Sequence, residues 1–435
     1  MMNQRQVHLD KIVGGGQSLG TLENGKKVFV WGGLPDETVS FIVTKKKSSM
    51  IEGVVTEVIT PSIDRIVPVD PESYLSTSPW QIMNFEAEQR YKAQLIADAF
   101  TLHDVTLPLA VTMYSDEALY GYRNKVEFSW WGDTDEQGNE LLDLAFFRRG
   151  GKGKVAVEGT SLARDEINIL ARAIRDLLRT LPLTARNLKT LLIRADQQGN
   201  CVWQLYIKDR EIADVIPKDA LDALDALPAE GGEIIYSDPK SPASRITERL
   251  YNYGNVVLSD TILDVPFHYA TEGFFQVNIP IYEQALRNMK SWIPANKPVV
   301  DMYAGVGTIG LTIGGEQVIL VEIDEHAVRE MRRNIAERGV SATAVLTPSE
   351  HALEHITDEA TIILDPPRAG LHSAVTEHLL AVKPHRIVYL SCNPVTQARD
   401  VARLLESYTI VDHKGYNFFP RTPHIEHLII LDLKK

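Results

Sequence analysis

The chain has 435 residues, 44% hydrophobic and 24% charged, with a formal net charge of −13. That is enough sequence for two or three domains, and the acidic balance argues against a surface that binds nucleic acid indiscriminately. Two cysteines exclude a disulfide framework and a four-thiolate metal site, and the lack of signal-like or bilayer-length apolar runs predicts a cytoplasmic protein with no membrane partner.

Residues 1–60 alternate with period two through Lys27–Trp31, Thr38–Val43 and Gly53–Ile59. Gly14-Gly15-Gly16, Asn24-Gly25 and Gly32-Gly33 supply the turns. The tight spacing predicts a small closed barrel of the oligonucleotide-binding kind, although an ordinary sheet domain without a ligand fits the same pattern. Residues 61–264 predict a mixed α+β unit. Its helices cover Phe85–Phe100 and Arg164–Leu178, and its strands Asn124–Trp130, Thr190–Arg194 and Cys201–Tyr206. Part of 92–120 is expected to pack with the segment that follows, and Cys201, inside a strand, is expected in the core. Two basic runs stand out, Lys45-Lys46-Lys47 and Arg148-Arg149-Gly150-Gly151-Lys152-Gly153-Lys154. Each reads as a solvated loop or a phosphate contact, and two of them in an acidic chain favour a local track for nucleic acid.

Residues 265–435 change character. Buried strands at Pro298–Asp301, Val318–Glu322, Thr361–Asp365 and Arg386–Leu390 alternate with helices. This predicts a Rossmann-like open α/β sheet with ligands at the carboxyl ends of its strands, where Asp301, Glu322, Asp365 and Cys392 fall.

Gly305-Val306-Gly307-Thr308-Ile309-Gly310 matches the dinucleotide fingerprint, so NAD has to be weighed. Against it, Glu322 comes too soon after the glycines for the usual ribose acid. Asp301, ahead of the glycines, suits a ligand with an ammonium group, and Glu322 can accept both ribose hydroxyls. S-adenosylmethionine has those features and no pyrophosphate, so it is the preferred cofactor. Asp365-Pro366-Pro367-Arg368 forms a rigid turn that fixes an acid over the cofactor. An aromatic after the prolines would mark amino-group methylation; Arg368 stands there instead. A cysteine in the same turn, usual for cytosine-carbon RNA methyltransferases, is also absent. The thiol is in Ser391-Cys392-Asn393-Pro394, at a strand exit. A thiolate there is a strong carbon nucleophile, and the alternative is an inert core cysteine. In His424-Ile425-Glu426-His427-Leu428, alternation puts His424 and Glu426 on one strand face, with a solvated edge as the alternative. The His-Glu-His cluster lacks metal-ligand spacing, so no metal is expected.

Taken in order, the motifs Asp301–Thr308, Asp365–Gly370, Ser391–Pro394 and Phe419–Glu426 resemble those of the RNA uracil-5-methyltransferases. The likeness is greatest to the ribosomal branch, with its N-terminal TRAM barrel, central domain and C-terminal class I methyltransferase domain. The resemblance implies that Cys392 is the nucleophile, Glu426 the base, and Asp365 a neighbour of both cofactor and target base. It implies cofactor contacts at Gln276, Tyr303, Thr308 and Glu322, joined by Asp301, Gly305 and Gly307 of the glycine loop, and a pocket aromatic at Phe274. Phe274 and Phe275 read as base-stacking groups or as core. Ser349 falls where an asparagine or aspartate often meets the adenine. The implied substrate is RNA, 23S ribosomal RNA above all, with Lys45, Lys46, Lys47, Arg148 and Arg149 on its phosphates. Transfer RNA, or RNA docking without turnover, are the alternatives. Many relatives hold an iron–sulfur cluster on four cysteines. Here Pro71–Ile82 has none, so no cluster is expected, and packing around Trp80 and Tyr74 is expected to hold the central domain.

Overall fold

The computed structural model describes residues 5–134, 140–217, 221 and 228–435; the first four residues of the expected barrel segment lie outside them. Strands β1 (Arg5–Ile12), β2 (Ser18–Thr21), β3 (Lys27–Trp31), β4 (Thr38–Lys46) and β5 (Met50–Thr60) form a closed barrel in the order β1-β2-β3-β5-β4, with β4 pairing back onto β1. Alternation sends Val7, Leu9, Val28, Val30, Val39, Phe41 and Ile51 inward as its core.

A 17-residue helix, Phe85–Thr101, follows. Asn84 caps it by accepting a hydrogen bond from the Ala87 amide, and Glu86 and Glu88 occupy its first turn. After β6 (Met113–Tyr114) come β7 (Lys125–Thr134), β8 (Glu140–Phe147), β9 (Lys154–Ala156), β10 (Leu188–Ala195), β11 (Cys201–Ile207), β12 (Ala229–Tyr236) and β13 (Glu248–Gly254). These last seven form one sheet in the order β13-β12-β11-β10-β7-β8-β9. The helix Asp165–Arg179 lays Ile167, Leu170, Ile174 and Leu178 on it, against Trp130, Ile193 and Trp203, with Cys201 fully buried among them.

Packing is only part of what holds the segment around Trp80. Trp80 is buried, but Tyr74 is half-exposed. A polar knot does the rest: Gln81 Nε2 donates to Ser78 Oγ at 2.6 Å and Ser161 Oγ at 3.1 Å, and Ser161 Oγ donates to Asp70 at 2.7 Å. Buried polar groups must find partners, and these find one another across 80 residues of chain.

The hairpin of β14 (Val257–Ile262) and β15 (Val265–Ala270) has its tip at Leu263–Asp264, where the middle and last segments were expected to divide. Leu258, Ile262, Phe267 and Tyr269 of both its strands pack into the core of the last segment. There, β16 (Val299–Met302), β17 (Val318–Glu322), β18 (Ala342–Leu346), β19 (Thr361–Leu364), β20 (Arg386–Ser391), β21 (Tyr408–Tyr416) and β22 (Glu426–Leu433) join β6 in an eight-stranded sheet. The order is β18-β17-β16-β19-β20-β22-β21-β6, with β18 to β20 parallel and β22 antiparallel to β20. The fold is thus a barrel, an α+β middle unit and a Rossmann-like sheet. Among the described residues no helix is long and apolar enough to cross a membrane.

Candidate active site

The carboxyl end of β16 runs into the glycine loop. Tyr303, Gly305 and Gly307 have φ of 67°, 57° and 90°, a left-handed path that favours glycine. Asp301, fully buried, braces this loop from beneath: its Oδ2 accepts the Gly310 amide at 2.8 Å, and its Oδ1 accepts no hydrogen bond among the described residues. Burial, with Asp365 and Glu322 adding to it, raises this carboxyl to about 8. The expected place for Asp301 was against a ligand's ammonium group; the structure spends one of its oxygens on the helix that follows the loop.

Glu322 ends β17 half-exposed. Its Oε2 accepts the Gly305 amide at 2.9 Å and its Oε1 accepts those of Ile323 and Asp324 at 2.7 and 2.8 Å. A carboxylate has about four acceptor positions, and with three taken this one keeps capacity for one ribose hydroxyl, on Oε2. The Thr308 hydroxyl is 2.8 Å from that of Tyr282, which is buried in the helix Ile279–Ser291. Sequence reading passed over Tyr282, because an aromatic at helical spacing reads as core. Ser349 is buried beside Tyr303, whose phenol burial raises. Gln276 is nearly buried, its carbonyl held by Asn124 Nδ2 at 3.0 Å. The two aromatics before it part ways. Phe275 stacks on Tyr269 with ring centroids 3.9 Å apart and is core, while Phe274 is 73% exposed and free to meet a ligand.

Cys392 leaves β20 half-buried. Ser391 is paired with His427, so one further step of the same register brings Cys392 opposite Glu426. Asn393 accepts the Val395 amide to cap the helix Pro394–Leu404 and donates Nδ2 to the Arg368 carbonyl at 2.8 Å; Thr396 Oγ1 donates to the same oxygen at 3.2 Å. The Cys392 turn and the Asp365–Arg368 turn are thereby fastened to each other. Burial, then the Glu426 and Asp365 carboxylates, push the thiol up to about 11, with Arg368 offsetting part of this. Burial lifts Asp365 to about 7. Burial and Asp365 hold Glu426 well above the usual carboxylate range, Arg368 again opposing. Two carboxyls and a thiol are all pushed upward by sharing one dry corner.

His424 does not share a strand face with Glu426. β22 begins at Glu426, and His424 sits in the preceding turn, which Pro420 and Pro423 keep out of the sheet. Arg368 Nη2 donates to His424 Nδ1 at 2.8 Å. Burial and the cations Arg368, Lys92, Arg123 and Arg149 push that imidazole down to about 4, so it is neutral at pH 7.

The two basic runs meet. A Cβ on Gly150 would come 2.4 Å from Val54 Cγ2 and 3.6 Å from Thr44 of the barrel, so the loop after β8 lies against the β4–β5 hairpin that carries the lysines. Lys46 and Lys47 are exposed, and Lys45 pairs with Glu52 at 3.6 Å. Arg148 donates Nε to the Lys154 carbonyl at 3.0 Å. Arg149 is more bracket than free cation: its guanidinium lies 4.4 Å from the Trp31 ring centroid and donates Nε to the Leu75 carbonyl at 2.7 Å. Among the described residues no group of three His, Cys, Asp or Glu side chains is placed to hold a metal.

This geometry can be set beside known proteins. The family profile described as tRNA (uracil-5-)-methyltransferase matches residues 352–434, which contain Asp365, Cys392 and Glu426. A protein of Enterococcus faecalis named as an uncharacterized RNA methyltransferase is 28% identical over 93% of this chain and 92% of its own. Over residues 352–434 the chain is similar to the RNA uracil-5-methyltransferase family. Another relative, a protein of Nanoarchaeum equitans named as an uncharacterized RNA methyltransferase, is 38% identical over 43% of this chain and 42% of its own. In fold, the chain matches the tRNA (uracil-54, C5)-methyltransferase of Pyrococcus abyssi, solved with S-adenosyl-L-homocysteine. The TM-score is 0.76 at 21% identity, over 98% of this chain and all of that one. The protein is an RNA methyltransferase, and its barrel, middle unit and catalytic sheet recur together in that structure.

Proposed function

We propose that this enzyme methylates C5 of a uridine in RNA, acting in the cytoplasm, through a covalent bond between Cys392 and C6. The observation that carries this is the convergence of Cys392 and Asp365, at the carboxyl ends of β20 and β19, with Glu426 at the amino end of antiparallel β22, beside the glycine loop. S-adenosylmethionine, when bound, supplies an electrophilic methyl group. Glu322 suits its ribose, and Gln276, Tyr303, Thr308 and the open space over Gly305 are the remaining parts of its cradle.

C5 of uracil is a weak nucleophile. Addition of the Cys392 thiolate to C6 breaks the C5=C6 π bond and makes an enolate, which concentrates electron density on C5. With cofactor bound, C5 can then take the methyl group as its bond to the sulfonium sulfur breaks and the neutral thioether becomes the leaving product. Asp365, raised by burial to about 7, can donate to a ring carbonyl when protonated or accept from N3–H when ionised and so fix the ring. Glu426 then takes the C5 proton, the double bond re-forms, and the C6–S bond breaks to return the thiolate. A carboxylate held well above its usual range is a stronger base than an ordinary one, as this step requires. To reach the site the target base must leave its stack, and exposed Phe274 is available to support it.

Glu426→Gln tests the mechanism. It keeps size and shape and removes the base, so a nuclease-sensitive, methyl-labelled protein–RNA adduct should accumulate on denaturing gels. Normal turnover, or a stall before any adduct, would count against Glu426.

For the substrate we propose 23S ribosomal RNA, on the resemblance to the ribosomal branch, with the barrel in the RNA-binding role of a TRAM domain. The second reading, transfer RNA, is favoured by the fold match to an enzyme named for uracil-54 of tRNA. Mapping 5-methyluridine in both RNAs from cells with and without the protein decides between them.

A further inference from the structure

The segment Asn417–Thr422 joins β21 to the turn bearing His424, which leads directly into Glu426 at the start of β22. It lies outside the strands, yet side chains from distant parts of the chain hold it at nearly every step. Asn278 Nδ2 donates to the Phe418 carbonyl at 3.1 Å, Lys92 Nζ to that of Phe419 at 3.0 Å, and the Tyr122 hydroxyl to that of Pro420 at 3.0 Å. The Arg421 amide donates to both oxygens of Glu88, each at 3.1 Å, and the Arg421 carbonyl accepts the Trp80 amide at 3.1 Å. Arg421 itself is held at φ 64°, a strained path for a side-chain-bearing residue that persists only where its surroundings impose it.

Glu88 and Lys92 are the centre of this clamp. They stand one turn apart on the helix Phe85–Thr101, 3.0 Å from each other, with both side chains fully buried. Together they also grip both ends of the Asn417 amide: Lys92 donates to Oδ1 at 2.6 Å, and Nδ2 donates to Glu88 Oε1 at 2.8 Å. A buried ion pair seldom improves stability over an apolar pair of similar volume. What this pair supplies, and an apolar pair does not, is a set of charge-assisted bonds to one strip of backbone.

We infer that Glu88 and Lys92 are positioning residues for proton abstraction: by fixing the backbone of residues 417–421 they set where Glu426 meets C5 of the methylated base. Cys392 and the glycine loop are mounted on other elements, so attack and methyl transfer do not depend on the clamp. The inference rests on the reading of Glu426 as the base.

The test uses the full-length enzyme, an RNA substrate and methyl-labelled cofactor, with single-turnover methyl transfer and steady-state product release measured separately. Since a displacement of about 1 Å can cost about a hundredfold in rate, Lys92→Met should lower turnover by about 30-fold or more while first-turnover methyl transfer stays within about threefold. The labelled adduct should then build up. Tyr122→Phe removes one bond to the same segment and keeps the ring. It should shift the same ratio by a smaller factor, and it decides the matter if Lys92→Met does not fold. Equal loss of both rates, or unchanged turnover in the folded variants, overturns the inference. The parallel Glu426→Gln arm keeps the two claims apart: if it traps adduct and the clamp variants do not, only the positioning role fails. If it traps none, the base assignment fails and the positioning role falls with it.

Discussion

The reactivity of Cys392 can be worked out from its surroundings. With the thiol raised to about 11, only about one molecule in a thousand carries a thiolate at pH 8. Alkylation by iodoacetamide should therefore be slow at neutral pH and accelerate about tenfold per pH unit up to about pH 10. The chain provides its own control, because Cys201 is fully buried and raised to about 12 and should stay unlabelled while the fold is intact. The two charged neighbours act in opposite directions. Arg368→Met removes the cation that favours the thiolate and should move the profile to higher pH; Glu426→Gln removes a carboxylate that opposes it and should move the profile down. Rates from intact-mass spectrometry between pH 6.5 and 10.5 measure all three curves. A wild-type curve that levels off below pH 9, or two variants that shift the same way, would refute the electrostatic reasoning. The free enzyme thus stores its nucleophile in an unreactive form.

Asp301→Asn should stabilise the protein increasingly as pH rises. The folded chain keeps the Asp301 proton up to about pH 8, whereas the unfolded chain loses it near about pH 4. Between those values unfolding releases a proton, so wild-type stability falls with rising pH and the asparagine variant escapes that loss; a Tm difference that is the same at pH 5 and pH 8 would contradict this. Gly310→Ala places a Cβ 2.4 Å from Leu320 Cδ2 and 2.9 Å from Asp301 Oδ2. Overpacking of this kind costs about 1–3 kcal/mol, to be read from urea unfolding, and wild-type stability would show that the loop has room to move. Neutralising Lys46 and Lys47 should each flatten the salt dependence of RNA binding by about 0.7–0.9 in slope, with a smaller effect at ion-paired Lys45; an unchanged slope would make the run a solvated loop. Protein purified without oxygen should carry no stoichiometric iron, as the chain has two cysteines, and iron at about four per chain would overturn that.

Much of the site was legible because its grammar is local. A buried strand followed by glycines, by Asp-Pro-Pro or by Ser-Cys-Asn-Pro marks a chain end over a cleft, and Glu322, Asp365 and Cys392 all stand at such ends in the fold. Other residues misled because their meaning depends on what lies across from them. Glu88 and Lys92, four apart on a helix, carry no local mark of a role, which the segment 417–421 gives them by closing over them. Arg149 reads as a free cation until Trp31 lies beneath it. His424 reads as a strand residue by alternation, but the prolines around it keep the turn out of the sheet.

Local sequence was enough to mark the strands β16, β17, β19 and β20, the place where the glycine loop bends, and Glu322, Asp365 and Cys392 at the carboxyl edge of the sheet. Periodicity and backbone sterics act over a few residues, so these features can be read in order along the chain. Only the tertiary structure decided how Cys392, Asp365 and Glu426 ionise and how firmly Glu426 is held. Desolvation and Coulomb interactions depend on distance through space, and the groups that set them come from β19, β20, β22 and the helix Phe85–Thr101, segments that meet only when the chain has folded.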